Sequence, residues 1–258
     1  MKSRVTRANL LLALSLCLII VSCQKKAKDD VTPPGAPSPV EFRFEHKVDL
    51  KNLVLDSSYG NQFQEFFKVS NFKYYISNIQ FVDQNSGDTV KIPETYFLVD
   101  ERKPESKKAQ FTIPAGEYYA CSFLIGIDAE RNASGAQTGA LDPALGMFWN
   151  RTDGYIMAKL EGTSPASTLP GNVISYHIGG YKGATSVIAR RHFKIGAAAV
   201  MANRKTVVIF TTDVRDWFSN PHALKIETYP SVSAPGDLAK KFSENYFKMF
   251  DFSSVKYE

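Results

Sequence analysis

Apolar and polar residues alternate one by one in several short runs of this chain, and that period of two constrains its fold more than any other feature. In "VEFRFEHKVDL", residues 40–50, Val40, Phe42 and Phe44 alternate with Glu41, Arg43 and Glu45, which gives an extended segment one apolar face and one wet face. "FKVSNFKYYISNIQFVD" is aromatic and β-branched, and the turn chemistry of "QNSGDT" at residues 84–89 joins it to "VKIPETYFLVD". "AQFTIPAGEYYACSFLIGID" repeats the theme around a tight "PAG" turn, and "GYIMAKLEG", "VISYHIGG", "HFKIGAAAV" and "KTVVIFTTDV" read as further strands. Helical spacing is confined to the end, where Leu238, Phe242, Tyr246 and then Met249 or Phe250 follow the start signal "SAPGD". A short C-terminal helix is expected there, with a second short one around "VRDWFSN". Short strands parted by turn signals specify an all-β fold, an antiparallel β-sandwich with long loops and one or two short helices, formed by residues 41–258 as a single domain.

The chain opens differently. Lys2, Arg4 and Arg7 precede the apolar run "LLLALSLCLIIVS", which is too short to span a membrane and has the layout of a secretory leader over residues 1–22. Its ending, "IVSC", resembles the bacterial lipobox and marks Cys23 as the lipidated first residue of the mature chain. Residues 23–40, with "QKKAKDDVTPPGAPSPV", are charged and then rich in Pro, and read as a flexible tether to the membrane. "KDD" at residues 28–30 resembles an export signal of surface lipoproteins. The expected location is therefore the cell envelope, anchored to the outer membrane on its periplasmic or outer side. Of three cysteines, Cys17 leaves with the leader and Cys23 is acylated, so Cys121 is alone and no internal disulfide is available. Within "YYACSFLIGI" it reads as a buried, inert thiol. The formal charge of +5 falls by the three cationic residues of the leader to +2, which gives no case for nucleic-acid binding.

Phosphate-loop, haem-attachment, nucleophile-elbow, paired-histidine zinc and EF-hand motifs are all missing, so no enzymatic turnover is expected. The unusual segment is "IGIDAERNASGAQTGALDPALGMFWNRTDGYIMAKLEG", residues 125–162. Connections of that length in a compact domain are usually functional or disordered. Here Met147, Phe148, Trp149 and Tyr155 argue for order, since each large apolar side chain costs about 1.5–3 kcal/mol to leave in water. Taken alone, Met147 and Trp149 plug one end of the sandwich.

The segment from "SFLIGIDAERNASGAQTGALDPALGMFWNRTDGYIMAKLEGTSP" to "ISYHIGGYKG" is similar to the MbnP-like copper-binding family, periplasmic and surface proteins associated with methanobactin operons. "VSNFKYYISNIQF", "YFLVD" and "SAPGDLAKKFSENYFKMF" resemble other parts of it. The resemblance implies a copper-binding β-sandwich in which a motif tryptophan is oxidised to kynurenine by a partner di-haem enzyme related to cytochrome c peroxidases. Carried onto this sequence, the tryptophan is Trp149, its neighbours in the motif are Met147, Gly154 and Tyr155, and the histidines are His46 and His177. Imidazole and thioether both suit copper, so His46, His177 and Met147 are the expected ligands. His192 and His222 read as surface residues; Asp128, Glu130, Arg131 and Asn132 read as anchors of the loop, and Glu161 as a partner of backbone or Tyr155.

The sequence departs from the family pattern at Arg151, where a second motif tryptophan is expected. A guanidinium there repels a cation in low dielectric. Two functions follow: a lipid-anchored copper-binding accessory protein of the envelope, or a surface lipoprotein whose metal site has lapsed and whose sandwich binds a partner or ligand.

Overall fold

Among the described residues the alternation gives fifteen strands in two facing sheets. The computed structural model describes residues 35–258, so the leader, Cys23 and most of the tether lie outside the described residues. In chain order the elements are β1 (Pro37–Val48), β2 (Lys51–Asn52), β3 (Ser58–Gly60), β4 (Phe66–Asp83), β5 (Thr89–Lys91), β6 (Tyr96–Asp100), β7 (Lys108–Pro114) and β8 (Gly116–Ile125). After helix α1 (Ala129–Ala133) come β9 (Phe148–Asn150), β10 (Gly154–Thr163), β11 (Val173–Gly179), β12 (Ala189–Val200), β13 (Thr206–Asp213) and β14 (Ser231–Val232). Helix α2 (Asp237–Tyr246) and β15 (Phe250–Tyr257) close the chain. "VRDWFSN" supplies only a 3-10 turn, Val214–Trp217, capped by the Asp213 carboxylate.

The smaller sheet runs β15–β13–β1, with β7 and β2 also paired to β1; the larger runs β12–β8–β4–β10–β11–β14, with β3, β5 and β6 on β4 and β9 on β10. Two pairings depart from the antiparallel expectation: β1 lies parallel to β13, and β11 parallel to β14. Strand β1 begins at Pro37, so residues 37–40, read from sequence as tether, are strand. Over 37–39 the only partner among the described residues is β7, and pairing to β13 starts at Val40. The prolines therefore fall where one edge needs no backbone donor.

Phenylalanines fill the space between the sheets. Phe42 of the smaller sheet meets Phe81 and Phe123 of the larger at 5.6 and 6.0 Å, and Phe44 meets Tyr74 edge-on at 5.8 Å. Helix α2 covers one end, with Phe242 against Tyr176 at 4.7 Å and Tyr246 against Trp217 at 4.9 Å. Along β4 the partner changes: β10 takes residues 68–74 and β8 takes 76–83. Since β6 pairs with residues 73–77 and overlaps both, β8 and β10 share one edge of β4 and part at Tyr75. The long connection between them starts and ends at that point.

Candidate functional site

The alternation of β4 defines two faces. Phe72 and Tyr74 pack inward against His46, so Lys73 between them points outward. Register carries that outer face across the sheet: Lys73 lies opposite Lys159 and Lys159 opposite His177, while Asn71 lies opposite Glu161 and Glu161 opposite Ser175. These six residues form a polar strip on the outside of the larger sheet.

The long loop is tied down over this strip and beside it. Lys73 Nζ donates to the carbonyl of Leu145 (3.1 Å) and Lys159 Nζ to that of Gly146 (2.6 Å). Those carbonyls end the 3-10 turn Pro143–Leu145, whose start is capped by Asp142 accepting from the Ala144 amide at 2.8 Å. Tyr155 donates its hydroxyl to Leu141 O (2.8 Å), Tyr75 donates to Ala140 O (3.0 Å), and the two rings meet edge-on at 6.1 Å. Asn132, fully buried, donates to Ile127 O (2.7 Å) and accepts from the Tyr155 amide (3.0 Å). Gly154 passes so close that a Cβ would sit 2.6 Å from Asn132 Oδ1, and its φ of +75° suits glycine. Asp128 accepts from the Arg131 amide, Asn78 and Tyr96, so Asp128 and Asn132 anchor the loop as their sequence suggests.

Met147 is fully buried, and its carbonyl accepts from the Ile156 amide at 2.9 Å. Trp149, half-buried on β9, lies on the backbone of Gly179: a Cβ there would be 2.5 Å from Trp149 Cζ3 and 2.6 Å from Tyr155 O. Gly179 is two residues beyond His177, hence on the same strand face. The second half of "HIGG" thus makes room for an indole beside the histidine.

His177 Nε2 lies 2.6 Å from Glu161 Oε1 and 3.4 Å from Ser175 Oγ. Glu161 Oε2 accepts from Asn71 Nδ2 at 2.7 Å, and Lys159 Nζ stands 3.9 Å from Oε1. The hydrogen bond with His177, aided by Asn71 and Lys159 against the effect of burial, pulls the Glu161 carboxyl from 4.5 to about 2. Burial pushes the Lys159 ammonium down, with Glu161 opposing. The sequence suggested backbone or Tyr155 as the partner of Glu161; register instead sets it across from Asn71 and Ser175, within reach of His177.

His46 lies elsewhere. It is buried between the sheets against Phe72 and Tyr74, with ring centroids 5.0 and 5.5 Å away. Its Nδ1 is 2.5 Å from Glu101 Oε2 and its Nε2 is 2.9 Å from the Tyr74 hydroxyl. A carboxylate only accepts, so Nδ1 carries the proton and Nε2 accepts from Tyr74. Both ring nitrogens are occupied. His46 and His177 stand on opposite faces of the larger sheet, and the structure does not bring them together.

Arg151 is exposed in the turn after Trp149, its guanidinium against Gly135. Cys121 is buried and burial alone pushes its thiol far up, which fits an inert role. His192 is exposed on β12, and His222 pairs with Glu244 at 2.5 Å. Sequence reasoning missed Asn71, Lys73 and Lys159, although their alternation with inward Phe72, Tyr74, Ala158 and Leu160 is visible in "NFKYY" and "AKLEG". Clefts of about 610 and 530 Å3 open near Asp128 and near Glu101, and neither is lined by Trp149 or His177. Among the described residues no group of three or more His, Cys, Asp or Glu side chains is placed to hold a metal ion.

The MbnP family model matches residues 37–234. Among solved structures, MbnP from Methylosinus trichosporium is similar at 15% identity, over 86% of this chain and 99% of that one, with a TM-score of 0.48. No curated protein matches the chain.

Proposed function

The chain belongs to the MbnP family, and from that premise we propose that it serves as a copper-related accessory protein of the cell envelope, with Trp149 and His177 at its working face. The observation that carries this reading is the seat of Trp149 on Gly179, beside His177 on one strand face. Imidazole suits copper in both common oxidation states. Of the two other expected ligands, Met147 and His46, His46 is left out because both its nitrogens are engaged across the sheet. The protein's own donors at this face are too few for a copper ion, so the set fits only when a group made from Trp149 completes it. Kynurenine would add an aniline nitrogen and a carbonyl oxygen, made by a di-haem partner. A copper ion held there would be stored or handed on, with no turnover by this protein. Lipidation at Cys23 and outer-membrane attachment belong to the same proposal.

Arg151 favours a second reading, a binding module whose metal site has lapsed, because it brings an exposed cation with no acidic partner among the described residues into the turn that carries Trp149. One experiment separates the two. The protein, made with and without a co-expressed di-haem partner, is titrated with Cu(I) and Cu(II), desalted and analysed for metal, beside His177→Ala. Stoichiometric copper that His177→Ala loses supports the first reading. An intact mass showing one oxygen gained and one carbon lost supports the kynurenine. No retained copper in either preparation gives the second reading.

A further inference from the structure

We infer that Glu161, steadied by Asn71, holds His177 in the tautomer protonated on Nε2, so that Nδ1 is the lone pair through which His177 takes an electron-pair acceptor such as copper. An ionised carboxylate has no proton to give. With Glu161 Oε1 2.6 Å from Nε2, the proton between them therefore belongs to the ring. The other oxygen, Oε2, accepts from Asn71 Nδ2 at 2.7 Å, so the carboxylate cannot turn away without breaking a second bond. Ser175 Oγ, at 3.4 Å, addresses the same nitrogen. A neutral imidazole carries one proton; once Nε2 has it, Nδ1 is bare, and no hydrogen bond from a described residue reaches it.

A second atom beside this pair is also unmatched. Asn71 is buried, 6% exposed, and its Oδ1 has no hydrogen-bond partner. Buried side-chain oxygens are normally satisfied, so an orphan next to this carboxylate points to a group that binds there. Two electron-pair donors, His177 Nδ1 and Asn71 Oδ1, thus stay open on residues joined through one carboxylate. Carboxylates that accept from the far nitrogen of a histidine fix its tautomer and raise its basicity as a ligand. Glu161 is in this sense a positioning residue.

The inference rests on reading His177 as a donor, but its first test does not, because the tautomer belongs to the metal-free protein. The full chain, labelled with 15N-histidine, is studied by long-range 1H–15N correlation at a pH where the imidazoles are neutral. His177 should show protonated Nε2 and bare Nδ1, while His46, whose Glu101 contact is on the other nitrogen, shows the reverse in the same spectrum. Glu161→Gln should release His177 into a mixture of tautomers, and Asn71→Ala should do so in part. An Nδ1-protonated population in the wild type, or an unchanged tautomer in Glu161→Gln, overturns the inference. Should Glu161→Gln fail to fold, the wild-type spectrum still decides. Cu(I) added to the chain carrying processed Trp149 should shift Nδ1 and leave the Nε2 proton in place, and loss of that proton overturns the inference. An Nε2-protonated His177 that no copper perturbs removes the copper reading while supporting the positioning role of Glu161.

Discussion

Two histidine–glutamate pairs sit on opposite faces of the larger sheet, and their contacts are almost equal in length: 2.5 Å for His46–Glu101 and 2.6 Å for His177–Glu161. What separates them is the second nitrogen. Tyr74 satisfies it in His46, whose side chain is fully buried, whereas in His177, 23% exposed, it meets no described partner. The carboxylate alone therefore does not mark a histidine as a ligand. The inner pair is closed and contributes to folding; the outer pair leaves a lone pair free beside Trp149.

Removing the acid from each pair should have unequal costs. Glu101→Ala leaves the buried Nδ1–H of His46 without an acceptor and Lys107 without its 3.0 Å partner, and should cost roughly 3 kcal/mol in urea unfolding. Glu161→Ala removes bonds from a carboxylate that is partly exposed and should cost less, about 1–2 kcal/mol. Equal losses would break the distinction between a closed pair and an open one.

Gly179→Ala tests the outer face from its other side. A Cβ 2.5 Å from the Trp149 ring and 2.6 Å from a main-chain oxygen has no room unless the indole leaves, so a loss of about 1–3 kcal/mol is expected. In a Trp217→Phe background the remaining tryptophan emission should shift to the red. The inner pair should keep its tautomer, which confines the damage to one face.

Much of this division was already legible. "VEFRFEHKV" puts His46 in phase with Phe42 and Phe44, and "VISYHIGG" puts His177 out of phase with Ile174, Tyr176 and Ile178, so simple alternation places one histidine inside and the other outside. Reading the two as ligands of one site follows residue type and family likeness, and alternation argues against it. The parallel pairing of β1 with β13 could not be read, because it joins segments more than 150 residues apart through backbone bonds that leave no local pattern. Order in the long loop is legible from its aromatics, but its ties are not, because they run from Asn132, Tyr155 and two lysines to backbone groups far away in sequence. The C-terminal helix was legible because its apolar spacing and its start signal agree.

Acid should separate the pairs by pH. Burial pushes the His46 imidazole below its ordinary 6.5, although Glu101 opposes this. The unfolded chain then takes up the proton first, so the stability from neutral His46 is complete above 6.5 and is lost as pH falls from there towards the lowered value. Glu161 moves from 4.5 unfolded to about 2 folded, chiefly through His177, so its contribution is complete above 4.5 and is lost as pH falls towards 2. Urea midpoints followed downward in pH should show both losses, with His46→Gln removing the upper and Glu161→Gln reducing the lower, which Glu161 shares with the lowered carboxyls of Glu41, Glu101 and Asp128. A single loss that neither variant alters would mean that the two faces do not titrate separately.

The smallest effect is expected from the lysine that borders both the loop and Glu161. Lys159→Met keeps the apolar stem and deletes one hydrogen bond, 2.6 Å to Gly146 O, together with a cation 3.9 Å from Glu161. Lys73 still holds the neighbouring carbonyl of Leu145, so about 1 kcal/mol or less should be lost. The more telling change is local. With one of its two ties gone, the turn before Met147 and Trp149 should be cut faster by protease, and the tautomer of His177 should stay as it was, because its proton is set by Glu161 and Asn71. If Lys159→Met instead releases the tautomer, the lysine charge and not the hydrogen bond of Glu161 orders the outer pair, and the contrast with His46 lies in charge rather than in the second nitrogen.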